Sequence, residues 1–110
     1  MLDVNQAPST VLVSIPADYA GRCHELANRW RSSLGEVAIG VVASGVGALE
    51  RGTPPPARTA VEPEQTLVYL PHALHWRAGR ISKRLILDFD EVLHAALAIG
   101  LQNMDRLPWQ

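Results

Sequence analysis

A short phrase that occurs twice constrains this chain more than any other feature. Thr10 to Pro16 reads TVLVSIP, and Thr66 to Pro71 reads TLVYLP. Each is an alternating, β-branched run closed by proline, the composition of a strand with a hard stop. A gapless shift of fifty-five positions lays Val11–Leu49 over Thr66–Met104. Nine positions then coincide, among them Pro16/Pro71, Arg22/Arg77, Arg29/Arg84, Glu36/Glu91, Ala43/Ala98 and Gly45/Gly100. The apolar pattern repeats along with the identities, so the chain reads as two copies of one unit.

Each copy has the same grammar. In the first strand Val11, Val13 and Ile15 share one face and Thr10, Leu12 and Ser14 the other, one face core and one surface. Pro16 then suits a helix entry, where its missing donor costs nothing. Tyr19, Cys23, Leu26 and Trp30 follow at spacings of four, three and four, a helical stripe over Ala17 to Arg31. Ser33 and Glu36 spell a capping box. The helix it opens, Leu34 to about Leu49, carries Val37, Ala38, Val41, Val42 and Gly45 on its stripe and Ile39 and Ala43 off it. Such an all-round apolar helix belongs at the centre of a fold. Gly35, Gly40, Gly45 and Gly47 weaken it by about 1 kcal/mol each relative to alanine, and close helix–helix approach is the expected compensation.

The second copy places Val68 and Leu70 inward and Gln65, Leu67 and Tyr69 outward. Leu74, Ala78, Ile81 and Leu85 match the first stripe, and Asp88 with Glu91 forms the second cap. The last helix carries Phe89, Val92, Leu93, Ala96, Leu97, Gly100, Leu101 and Met104. The resulting organisation is one domain over 1–110: a first unit at 10–50, a proline-rich linker at 51–64, a second unit at 65–104 and a tail at 105–110. A linker of this length reaches on the order of 45 Å when extended, enough to start a second strand beside the first. A unit of about forty residues rarely folds alone, and the other copy is the natural partner.

Composition narrows the function classes. One cysteine permits no internal disulfide, and no cysteine–histidine metal framework is present; Cys23 is expected buried in a reducing cytoplasm. The longest apolar stretch, about thirteen glycine-interrupted residues, is short of the roughly twenty a membrane span needs, and MLDVNQAPS is no signal peptide. A soluble cytoplasmic protein is expected. Net charge is −1, distributed as −2 over residues 1–50, zero over 51–65 and +1 over 66–110, so this is not a strongly basic chain. No glycine-rich phosphate loop, no nucleophile with an evident base and no carboxylate pair outside the caps is present, so no enzyme, no catalytic residue and no cofactor is expected. His72, His75 and His94 are too few and too dispersed for a metal site. Arg22, Arg29, Arg77, Arg80, Lys83 and Arg84 form the outer faces of the first helices, read as solvated surface. Trp30 is read as core, Trp76 and Trp109 as surface or partner contacts.

A lone strand with two helices leaves its ladder unpaired, and two such units solve this by pairing strands antiparallel. At this point the residues resemble the ribbon-helix-helix family, which includes the Arc and Met repressors. The resemblance spans about eighty residues. It rests on strands ending in -SIP and -YLP, the amphipathic first helices, the caps at Ser33 and Asp88, and the A-x-G near the end of each second helix. It implies a mainly α fold with a short β-ribbon: a tandem ribbon-helix-helix (β-α-α-linker-β-α-α), an intramolecular pseudo-dimer with a two-stranded antiparallel sheet. Such tandem forms resemble accessory proteins of plasmid and T-DNA transfer.

The family's function, carried across, implies a double-stranded DNA-binding protein that lays the ribbon in the major groove. Thr10, Leu12, Ser14, Gln65, Leu67 and Tyr69 would read bases, and Ser32 and Ser33 at a helix start would hold phosphate. The implied roles are repressor, or accessory factor in plasmid or T-DNA transfer or maintenance (conjugation), acting as a monomeric pseudo-dimer open to further association on DNA. Two departures count against simple transfer. No Arg or Lys lies on the outward face of either strand, and Asp88 and Asp90 stand where the second phosphate would approach. The alternative is a protein-interaction module, antitoxin-like or scaffold, that meets a toxin or transfer machinery through Leu12, Leu67, Tyr69 or the terminal segments.

Overall fold

The two repeated phrases meet in one ribbon. The computed structural model describes residues 10–56 and 64–106. In it β1 (Thr10–Pro16) pairs antiparallel with β2 (Gln65–Pro71), with Val13 opposite Val68 at the centre. Four helices accompany the strands: α1 (Ala17–Trp30) and α2 (Leu34–Glu50) after β1, α3 (His72–Leu85) and α4 (Phe89–Arg106) after β2. The N-terminal arm, residues 57–63 of the linker, and the tail beyond Arg106 with Trp109 lie outside the described residues.

Local chemistry sets the boundaries. Pro16 and Pro71 sit at the N-caps of α1 and α3 with φ of −59° and −56°, already suited to a helix start. The end of α2 is a Schellman turn: the Gly52 amide donates to the Leu49 carbonyl and the Thr53 amide to that of Ala48, with Gly52 at φ 102°. The ends of α1 and α3 reach the left-handed region without glycine, at Arg31 (φ 55°) and its repeat equivalent Ile86 (φ 57°). A β-branched side chain there is strained, and Ile86 is 89% exposed. In both copies one amide closes the turn, Ser32 to the Ala27 carbonyl and Leu87 to that of Ser82.

The core lies beneath the ribbon. Ile15, Val68 and Leu70 are buried on its inner face, against Cys23 and Leu26 of α1, Leu74 and Ile81 of α3, and the central pair α2 and α4. Only Glu36 and Glu50 of α2 are exposed. Burial pushes the Cys23 thiol up to about 11, with Arg22 pulling the other way. Of the four glycines expected to compensate by close packing, only Gly45 does so: a methyl group there would overlap the Ala96 backbone. Its repeat equivalent Gly100 meets the Val41 backbone in the same way.

This packing corrects the expected tandem ribbon-helix-helix pseudo-dimer. The structure is a small, mainly helical globule with the order β-α-α-β-α-α and one two-stranded antiparallel sheet. Neither half has a core of its own. One hydrophobic cluster takes in both, and α2 packs more extensively on α4 than on α1. The polar contacts between helices also cross the halves: Tyr19 with His94, Ser44 with Asn103, Glu50 with Arg77, and Arg84 with the Leu49 carbonyl. Two half-cores of this size would each leave most of their apolar surface in water, so burial drives both copies into one layered interior.

Candidate nucleic-acid interface

The pleat that buries alternate strand residues turns the others outward. Thr10, Leu12, Ser14, Gln65, Leu67 and Tyr69 are all exposed, while Ile15, Val68 and Leu70 between them are buried. The register sets Leu12 opposite Tyr69 and Ser14 opposite Leu67, with Thr10 and Gln65 at opposite corners against Pro71 and Pro16. All six expected reading residues therefore share one surface. Its middle is more apolar than its ends: Leu12, Leu67 and Tyr69 are 47%, 63% and 59% exposed.

The expected phosphate residues, Ser32 and Ser33, are exposed at the start of α2, but a carboxylate already engages them. Glu36 accepts from the Ser32 hydroxyl at 2.7 Å and from the Ser33 amide at 3.4 Å, while the Ser33 hydroxyl accepts from the Glu36 amide at 3.1 Å. These bonds, the one from Ser32 foremost, hold the Glu36 carboxyl below its ordinary range. The anion-favouring helix start is thus occupied by the protein's own anion. The start of α4 repeats the device, the Asp88 amide donating to Glu91 at 2.9 Å. There Asp90 borders a cleft of about 260 Å³ with Ser14, Gln65 and His94, which brings an acidic group beside the ribbon.

Two residues here escape the sequence reading. Glu36 is an obstacle to phosphate as well as a cap, a double meaning implicit in the capping box itself. Arg31, exposed in the turn immediately before Ser32, puts a cation at the first helix start where the second copy has Ile86. Its only sequence signal is adjacency to the cap. The two ends of the ribbon are therefore chemically unequal.

Among the described residues no group of three or more His, Cys, Asp or Glu side chains could hold a metal ion. No single described helix is long and apolar enough to cross a membrane; α1 and α2, the one pair apolar enough together, are bent by 112°. Compared with models of protein families, with curated proteins and with solved structures, the chain matches none.

Proposed function

We propose that this chain binds double-stranded DNA through the outer face of the β1–β2 ribbon, as a transcriptional repressor or an accessory factor in plasmid or T-DNA transfer. The observation that carries the proposal is the ribbon itself: two antiparallel strands, uncovered on one face among the described residues, presenting six exposed side chains in register. A two-stranded ribbon fits the major groove, which is about 12 Å wide. Gln65 offers a bidentate contact to adenine, Thr10 and Ser14 bond either base type, and Leu12 and Leu67 touch thymine methyl groups. Arg31 offers a cation to phosphate at one end, next to Ser32 and Ser33, which would have to release Glu36 to join it; Ile86 stands at the other end, which makes the footprint lopsided.

A second reading is a protein partner on the same face, without DNA. It is favoured by the exposed apolar trio Leu12, Leu67 and Tyr69 and by Glu36, Asp90 and Glu91 at the helix starts, which repel a polyanion.

Selection of bound sequences from random duplex DNA, followed by titration of the winner at increasing salt, separates the two. DNA binding predicts enrichment of one motif and a log–log salt slope well shallower than that of a protein neutralising about six to ten phosphates, at about −0.9 each. Failure to bind any duplex at about 50 mM salt overturns it, because screening is then too weak to hide so few contacts.

A further inference from the structure

The two copies differ in charge on the outer faces of α1 and α3, and the difference has a chemical direction. α3 reads HALHWRAGRISKRL, with four Arg or Lys and no carboxylate. Two of the cations are committed within the fold. Arg77 grips Glu50 with Nε and Nη2 at 2.9 and 2.6 Å, and Arg84 donates to the Leu49 carbonyl at 2.9 Å. Arg80 and Lys83 are exposed and, among the described residues, stand in no ion pair. Arg80 lies over the Trp76 ring, 5.1 Å from its centroid, and Trp76 is 57% exposed. Beside them a groove of about 520 Å³ runs between α3 and the end of α2, lined by Glu50, Arg77, Arg80, Ile81, Lys83 and Arg84.

The internal repeat provides a control for what the fold itself requires. The positions equivalent to Trp76, Arg80 and Lys83 are Gly21, Glu25 and Asn28 on α1, all exposed. α1 forms the same helix in the same setting without an aromatic or an added cation there, so folding does not demand the α3 set. An exposed tryptophan on a cationic helix face is the composition of a docking surface, where an aromatic anchor gives affinity and unpaired charge gives selectivity.

We infer that the α3 face is a docking site for an acidic segment of a protein partner, with Arg80 and Lys83 meeting its carboxylates and Trp76, one turn before Arg80, meeting an apolar side chain at their edge. Charge complementarity fixes the sign of the occupant, and position separates it from DNA on the ribbon. The groove lies at the Glu50 end of α2, seventeen residues and about 25 Å from the helix start that carries Ser33. None of the groove's lining residues is among the six on the outer face of the ribbon, so the site draws on side chains that the DNA reading does not use.

The test uses the full chain and a fluorescein-labelled synthetic peptide of alternating glutamate and leucine, about twelve residues long, enough to span the groove at about 3.3 Å per residue. Anisotropy at about 50 mM salt should show saturable binding that the glutamine counterpart of the peptide lacks and that weakens at higher salt. Arg80→Glu with Lys83→Glu should weaken it at least about tenfold and Trp76→Ala about fivefold, while the ribbon pair Leu12→Ser and Leu67→Ser leaves it unchanged. All three α3 side chains are exposed, and the milder pair Arg80→Gln and Lys83→Gln serves if charge reversal perturbs folding. No peptide binding at about 50 mM, or equal affinity in the charge-neutralised variant, overturns the proposal. So does a duplex DNA that displaces the peptide and itself depends on Arg80 and Lys83, since the surface would then be a nucleic-acid site.

Discussion

Glu50 and Arg77 lie on opposite halves of the chain and close on one another in a bidentate ion pair. The bond from Arg77 is the main cause that holds the Glu50 carboxyl below its ordinary value of 4.5; partial burial opposes it, and Arg80 and Arg84 add to it. A carboxyl depressed in the folded state contributes stability above its unfolded value and loses that contribution as pH falls through the folded one. Both side chains are more than a third exposed, so solvent screening limits the pair to about 0.5 kcal/mol. Glu50→Gln is expected to lower stability by that amount at pH 7 and by much less near pH 3, measured by urea unfolding at the two pH values. A loss of equal size at both would assign the effect to packing rather than charge. Nothing in the sequence announces this pair. The partners are twenty-seven positions apart and belong to different helices, and ion pairs leave no periodic trace of the kind that apolar stripes do.

The elements themselves were legible where burial dictates a period. Alternation in TVLVSIP and QTLVYLP marks both strands, and the spacing of Tyr19, Cys23, Leu26 and Trp30 marks a helix, because a half-buried element must put its apolar residues on one side. The glycines of α2 were legible only in part. Their number suggested close approach, yet Gly40 faces open space while Gly45 lies against Ala96, and only the crossing of α2 with α4 decides which is which. The repeat does contain the clue, since Gly45 and Gly100 coincide under the fifty-five-residue shift and Gly40 meets Ala95. Gly45→Ala and Gly100→Ala should each destabilise by about 2 kcal/mol or more, because the added methyl overlaps backbone that cannot rotate away. Gly40→Ala should stabilise by up to about 1 kcal/mol through helix propensity. Chemical denaturation of the three variants tests both signs, and a neutral Gly45→Ala would mean that the two helices do not cross at these residues. The outward face of the ribbon was legible in its residue list and not in its surroundings: alternation names the six exposed side chains, whereas the meeting of Asp90 with Ser14 and Gln65 requires the folded α4.

At the scale of the whole molecule, the repeat turns a problem of association into one of chain connection. Two free copies of a forty-residue unit would meet at a rate and affinity set by their concentration. Joined, each meets the other at the effective concentration that its linker allows, in the millimolar range for short flexible connections. The ribbon is the place where this matters, because β1 and β2 come from opposite halves and each strand finds its only described partner in the other. The same connection leaves an exchange route open, in which β2, α3 and α4 of one chain complete the core of a second. The two arrangements have identical contacts and differ only in their response to dilution. With pairing inside one chain, helical circular dichroism and the urea midpoint should stay constant between about 10 μM and 10 nM, since unimolecular folding carries no concentration term. A midpoint that falls on dilution, accompanied by a doubling of apparent mass at the upper end, would show that the strands are exchanged between chains. The ribbon's two unequal ends would then each occur twice in the assembly. If the ribbon binds DNA as proposed, two lopsided half-sites would then be related by two-fold symmetry, so the shape of the selected motif reports on the same question.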